Sequence, residues 1–315
     1  MSRLLYLLLV CLSVSWSWGQ QLPSLTLYRE YQSFLNPAAV PHDYFKDDLN
    51  AQIGISYRNQ WTRLVDGSPV TGLIHGTYLG DQSSTKLILG GNLIYDKTGP
   101  IHYYGANAKF GVMFSEDPLY GGFSAALSLG YKQMALQTDK LIAQDISEIL
   151  GTNENFKSST PDIGLGMFYH ARLDNEDNVY IGASMPQLFS IQGLNSSNKA
   201  GIKSIPHFYG LVGYIKYLND YSFIETSSWV KYVQNIPLNV DLNIKYQLDQ
   251  TLWLGMGMSS AKILHLEGGI VLSDNLGWDT PLRIGYSYEE GFNQIANPFG
   301  KTHEISINYA WDTRR

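Results

Sequence analysis

From about residue 51 to the end of the chain, apolar and polar residues alternate with a period of two. Leu238-Asn239-Val240-Asp241-Leu242-Asn243-Ile244-Lys245-Tyr246-Gln247-Leu248 does so strictly, as do Leu282 to Glu289 and Glu304 to Asp312. In a strand successive side chains point to opposite faces, so each segment has one apolar or aromatic face and one carrying Asn, Asp, Lys, Arg, Ser or Gly. Several segments, such as Tyr103 to Phe114 and Tyr120 to Gln133, exceed the ~5–6 residues usual in soluble sheets. They match the ~9–11 residues that a tilted strand needs to cross a membrane. Fourteen segments can be marked, near 51–61, 70–79, 85–95, 102–114, 120–136, 161–172, 178–190, 206–217, 222–234, 237–248, 250–259, 263–273, 280–289 and 302–312. The pattern predicts an all-β chain, a transmembrane antiparallel β-barrel over residues 51–315. An even strand count leaves both chain ends in the periplasm.

The connections give the barrel a direction. With the first strand running outward, Gly80 to Ser83, Ser115 to Pro118, Asp174 to Asp177, Asn219-Asp220 and Leu248 to Gln250 become short inner turns rich in turn formers. The long connections, 138–160, 190–205 and 290–301, all fall outside, as bacterial barrels require. Within the first of them, Asp139 to Leu150 followed by Gly151 predicts a short amphipathic helix.

Two stretches lie outside the alternation. Arg3, the apolar run from Leu4 to Val14 broken only by Ser13, and Ser17-Trp18-Gly19 form the parts of a secretory signal, predicted as residues 1–19. That run is too short to span a ~30 Å hydrocarbon core as a helix. Residues 20–50 carry no strand pattern and contain Asn36-Pro37 and Pro41-His42-Asp43; they are expected to be a periplasmic arm or a plug entering the lumen.

Composition narrows the function classes. The single cysteine, Cys11, lies in the signal, so the mature chain is expected to have no disulfide, thiol nucleophile or Cys-ligated metal. A formal charge of −6, with no basic cluster, argues against nucleic acid as a partner. Among 22 tyrosines and 7 tryptophans, Tyr57, Trp61, Tyr78, Tyr95, Tyr169, Tyr180, Tyr217, Trp229, Trp253 and Trp311 fall near segment ends, as expected for the aromatic girdles of barrels. Seven scattered histidines show no metal-ligand spacing, and His303 and Glu304, adjacent in a strand, face opposite ways. Ser184, Ser287 and Ser306 lack a nucleophile elbow, and the glycine pairs Gly90-Gly91, Gly121-Gly122 and Gly268-Gly269 lack a phosphate-loop pattern. No catalytic residue, cofactor or metal is therefore expected. Lys109, Lys132, Lys231, Asp241, Lys245, Glu267 and Arg283 place charges of both signs on the lumen side, which suits internal salt bridges better than a selective pore.

Asn36-Pro37-Ala38, Arg58-Asn59-Gln60-Trp61, Pro69-Val70-Thr71 and Asp96-Lys97-Thr98-Gly99-Pro100 occur in order. They are followed by Pro161 to Gly166, Ile181 to Leu188, Pro206 to Tyr209, Val230 to Val233, Trp253-Leu254-Gly255, Ile284 to Tyr288 and His303-Glu304-Ile305. The series resembles the PorP/SprF family of Bacteroidetes outer-membrane proteins across nearly the whole mature chain. It departs from the family pattern at Ala39-Val40-Pro41 and at Tyr288-Glu289.

The resemblance implies a component of the type IX secretion and gliding machinery in the outer membrane. Such a component supports export or surface attachment of particular secreted proteins. Its implied partners are a secreted cargo or surface adhesin, outer-membrane lipid, and either a periplasmic ring lipoprotein with its partner or a peptidoglycan-binding protein. The residues expected to meet the cargo are Arg58, Gln60 and Trp61 at the outer end of the first strand. Asp96, Gly99 and Pro100 at the next outer turn are expected beside them. The competing expectation is a transport barrel for a small hydrophobic or oligomeric solute.

Overall fold

A computed structural model describes residues 25–62, 67–80, 84–117, 120–137, 156–188, 205–249, 251–273, 277–278, 280–292 and 300–314. The predicted helix at 139–150 lies outside the described residues. Fourteen strands close into one antiparallel barrel. They are β1 (Ala51–Asn59), β2 (Val70–Leu79), β3 (Thr85–Thr98), β4 (Ile101–Phe114), β5 (Gly121–Leu136), β6 (Phe156–Arg172) and β7 (Asn178–Gln187). The other half comprises β8 (His207–Tyr217), β9 (Phe223–Val233), β10 (Asn239–Leu248), β11 (Leu252–Ser259), β12 (Ile263–Leu272), β13 (Leu282–Gly291) and β14 (Thr302–Trp311). Each strand pairs with its sequence neighbours, and β1 closes on β14 with Ala51 opposite Trp311 and Asn59 opposite His303.

The alternation seen in the sequence becomes an inside-out distribution. On β1, Ile53, Ile55 and Tyr57 are 49, 49 and 53 % exposed, whereas Gln52, Ser56 and Arg58 are 5, 2 and 1 % exposed. The same inversion runs round the wall, with Leu127, Leu129 and Tyr131 outward on β5 and Ser124, Ser128 and Lys132 inward. An apolar surface this continuous is unfavourable in water at ~25 cal/mol per Å² but suits hydrocarbon. No described helix is long and apolar enough to cross a membrane; the crossing is made by strands.

The largest departure from the sequence reading is at β6. The strand begins at Phe156 and runs through Pro161, which the sequence reading treats as a boundary. The carbonyl of Ile163 accepts from the Leu188 amide, so residue 161, two positions away, directs its backbone to the same β7 side. The β6–β7 ladder begins only at Leu165 opposite Met185. The proline's missing N–H therefore costs no ladder bond. On its other side Pro161 stays paired with Tyr131 of β5.

Residues 25–50 lie inside the barrel. A 3-10 turn at Tyr28–Tyr31 and single helical turns at Gln32–Leu35 and Tyr44–Asp47 join extended pieces. Leu27, Tyr28, Tyr31, Leu35, Ala38 and Tyr44 are all buried. They form one cluster with the inward-facing Leu73, Phe168, Tyr180, Trp229 and Trp253. The core of this protein is thus the contact between its N-terminal segment and the inner wall.

Candidate functional site

The N-terminal segment is fixed to the wall at three heights. At the outer end, Arg58 of β1 donates to Glu289 of β13 at 2.6 Å, to Glu304 of β14 at 3.0 Å and to Thr26 Oγ1 at 2.7 Å. Glu304 also accepts from the Thr26 amide at 2.9 Å. Two carboxylates and one guanidinium are thereby taken out of water together with the hydroxyl and amide of residue 26. Breaking such a buried set costs more than forming it gains, so it acts as a register lock.

Half way down, the wall and the segment carry complementary charges. Arg29 pairs with Glu267 and lies 3.8 Å from Glu225, while Glu30 accepts from Lys245 at 3.0 Å. Tyr28 Oη lies 2.9 Å from Ser227 Oγ and accepts from Asn243 Nδ2 at 3.0 Å. Asn36 donates to the Met167 carbonyl of β6 at 2.9 Å, and its own Oδ1 accepts from the Ala38 amide at 3.0 Å. This approach needs glycine on the wall. A Cβ on Gly166 would lie 2.0 Å from Asn36 Oδ1 and 2.9 Å from Pro37 Cδ, and one on Gly182 would lie 2.7 Å from Asn36 Nδ2. Near the periplasmic end, Asp43 pairs with Arg283 and Asp48 with Arg314 at 2.9 Å. There Asn50 bridges the Leu79 carbonyl and Thr313.

The charges expected on the lumen side do face it, and Lys132–Asp162 and Lys231–Asp241 pair within the wall. The partners of Lys245, Glu267 and Arg283 come from residues 29–47, which carry no periodic signal. The sequence reading therefore missed Arg29, Glu30, Asn36 and Asp43 as functional positions. Asn36 was visible only as part of the Asn36-Pro37-Ala38 motif, and Arg29, Glu30 and Asp43 left no sign beyond the charges on the lumen face that they neutralise. His303 and Glu304 diverge as expected: Glu304 is buried in the lumen, while His303 lies tilted beside the Tyr286 ring and edge-on to Tyr288. Among the described residues no group of three or more His, Cys, Asp or Glu is arranged to hold a metal ion.

The six residues expected at the outer rim divide into two layers. Arg58 is 1 % exposed and saturated by Glu289, Glu304 and Thr26, so its guanidinium faces the lumen and not an outside partner. In the amide orientation its neighbours require, Gln60 Oε1 accepts from Arg58 Nη2 and Nε at 2.9 and 3.1 Å. Asp96 also points inward, accepting from Thr71 at 2.6 Å. Trp61, Gly99 and Pro100 form the upper layer. Trp61 is 37 % exposed and holds a left-handed backbone at φ +57°, while Thr62 bonds to Lys301 of the β13–β14 loop. Gly99, at φ +56°, donates to the Gly67 carbonyl, which joins the β3–β4 turn to the β1–β2 loop. Pro100 accepts from the Gln137 amide. Four loops thus meet at one side of the outer mouth.

A family model described as type IX secretion system membrane protein PorP/SprF matches residues 17–309. The chain belongs to the PorP/SprF family. It is an outer-membrane component of the type IX secretion system, and it works with that machinery. No curated protein sequence matches it.

Solved structures show the same kind of barrel. The CymD monoaromatic hydrocarbon channel superposes with a TM-score of 0.52 at 10 % identity, covering 89 % of this chain and 92 % of that one. A FadL homologue from Pseudomonas aeruginosa gives 0.50 at 10 % identity, covering 93 % and 95 %. The P. putida toluene transporter TodX gives 0.50 at 9 % identity, covering 86 % and 92 %. At these identities the likeness concerns the fold. In this PorP/SprF chain, three motifs of the family resemblance that lie far apart in sequence meet in space: Asn36-Pro37-Ala38 rests on Gly166 of β6 and Gly182 of β7.

Proposed function

We propose that this protein is a non-enzymatic docking platform, holding a particular secreted cargo or surface adhesin at the outer mouth of a barrel closed by its own N-terminal segment. The observation that carries the reading is the fixing of residues 25–50 to the wall at three heights by buried ion pairs and hydrogen bonds. A lumen filled in this way leaves the rim as the surface for a macromolecule. The rim contact is assigned to Trp61, Gly99 and Pro100, with Gln60 beneath them. Arg58 and Asp96 act from below by holding the strand ends. Large amphipathic side chains such as Trp61 are typical anchors at interfaces. On the periplasmic side the short turns would face a ring lipoprotein and its partner, or a peptidoglycan-binding protein.

The test compares surface and secreted proteomes of wild-type and gene-deleted cells. Loss of one or a few large surface proteins is the expected result, and the rim variant Trp61→Ala should reproduce it in part while the barrel remains in the membrane. An unchanged proteome sinks the proposal. The second reading, a conduit for a small hydrophobic solute, is favoured by the likeness of the fold to hydrocarbon channels. It predicts solute uptake that changes when residues 25–50 are removed.

A further inference from the structure

The outer wall of β1–β5 carries a groove that the docking role does not use. Its floor is Gly72 of β2, where an added Cβ would meet nothing within 4 Å. Its walls are Tyr57, Tyr95, Tyr104 and Tyr131, and its deep end is Ile74 and Leu93, giving a volume of about 560 Å³. Cavities of ~300–1,000 Å³ are the usual size for small-molecule sites. Tyr57, Tyr104 and Tyr131 are 53, 45 and 53 % exposed, and the groove faces the hydrocarbon side of the wall.

Two residues further outward along the strands the chemistry changes. Val70, Lys97, His102, Ala135 and Lys157 form a single cross-strand row over β2–β6. Lys97 and Lys157 stand three strand spacings apart, roughly 14 Å along the wall. Neither is paired with a carboxylate among the described residues, and Asp96, next to Lys97, turns the other way to Thr71. His102 Nδ1 lies 3.3 Å from Tyr95 Oη, while its Nε2 is buried without a partner among the described residues. The outward-facing positions of β2–β6 contain no Asp or Glu. Two lysines with no carboxylate partner among the described residues thus lie above an apolar groove, at the outer ends of the strands.

We propose that this face binds a phosphorylated glycolipid of the outer leaflet, with one acyl chain in the groove over Gly72 and its phosphate groups on Lys97 and Lys157. The tyrosines suit the boundary, since each presents a ring to the chain and a hydroxyl to the headgroup. A zwitterionic phospholipid would fill the groove but gain little from the two lysines. A soluble anion would use the lysines but leave the groove empty.

The experiment uses full-length protein extracted from outer membranes in mild detergent, with bound lipid A counted by native mass spectrometry and affinity measured by titration with purified lipid A. Lys97→Ala with Lys157→Ala should weaken lipid A binding roughly 30-fold, five- to sixfold for each lysine near an anionic surface. Dephosphorylated lipid A should bind wild type as weakly as lipid A binds that variant. Gly72→Phe, which fills the floor of the groove, should lower retention of either form. Heat-dependent gel mobility reports that each variant is a folded barrel, and single lysine substitutions serve where the double variant is not. Unchanged lipid A binding in the lysine variants overturns the proposal, as does equal binding of dephosphorylated lipid A or phosphatidylethanolamine by wild type.

Discussion

Gly166→Val is the sharpest perturbation of the seated N-terminal segment. The new side chain enters where Asn36 Oδ1 would lie 2.0 Å and Pro37 Cδ 2.9 Å from its Cβ. The wall cannot give, because β6 is held along this stretch by ladders to both β5 and β7. The segment around Asn36 must move instead, losing its hydrogen bond to Met167. Overpacking of this kind costs about 1–3 kcal/mol, so the ratio of displaced to seated segment should rise about 5- to 150-fold. The assay is maleimide labelling of a cysteine placed at Ala38, which is fully buried in the seated state, read beside conductance in planar bilayers. Gly210→Ala is the control, since its Cβ would meet only Val230 at 3.6 Å. Asn36→Ala removes the amide that clashes and should act on the same contact, so the double variant should fall short of the sum of the two singles. If folded Gly166→Val labels and conducts like wild type, the contact does not hold the segment and the reasoning fails.

The remaining predictions concern separate parts of the molecule. Arg58→Met leaves Glu289 and Glu304 buried without their cation and should lower barrel stability by about 3–5 kcal/mol; adding Glu289→Gln and Glu304→Gln should recover most of that, as read by denaturant midpoint, and no recovery refutes the pairing. Burial opposes ionisation of Asp177 in the β6–β7 turn, but hydrogen bonds from Tyr214, the Tyr217 amide and Asn175 outweigh it and hold its carboxyl below the ordinary value. A depressed carboxyl stabilises the folded turn above its unfolded pKa of ~3.9, and this is lost as pH falls through the lower folded value. Proteolysis at that turn should therefore quicken in acid for wild type, while Asp177→Asn should show no such step. Trp61→Ala should leave the unfolding free energy within ~0.5 kcal/mol of wild type, as for surface changes generally, so any loss of surface cargo is read as docking.

The wall was legible in the sequence because a strand buried on one face writes its orientation every second residue. All fourteen strands lie close to their marked segments, and the charges read as inward on β4, β5, β9, β10, β12 and β13 do face the lumen. Pro161 misled for a local reason, since a proline limits a strand only where its N–H is needed. Arg58 misled differently. Its position near a strand end suggested an exposed contact, but alternation from Gln52 through Ser56 already placed it on the inner face, and its two carboxylate partners lie more than 230 positions away along the chain. Residues 25–50 were illegible because they fill a space and form no lattice. Their conformation is set by the wall they touch, through contacts such as Asn36 on Gly166 that leave no period in the chain.

The placement of those contacts bears on how firmly the segment is held. A segment meant to leave the lumen easily would be held at one end and rest loosely elsewhere. Here Thr26 is tied to the Arg58–Glu289–Glu304 set, Asn36 to β6, and Asp43, Asp48 and Asn50 to β13 and the chain's C-terminal end. Freeing it would strand several buried charges of both signs at once, Glu267 and Lys245 among them, before water could enter to solvate them. Because these partners lie on β1, β6, β10, β12, β13 and β14, the segment also braces opposite sides of the wall against each other. A barrel braced in this way presents its rim loops in a fixed arrangement. Less ordering is then lost when a large partner binds, which favours docking over conduction as the task of the outer mouth.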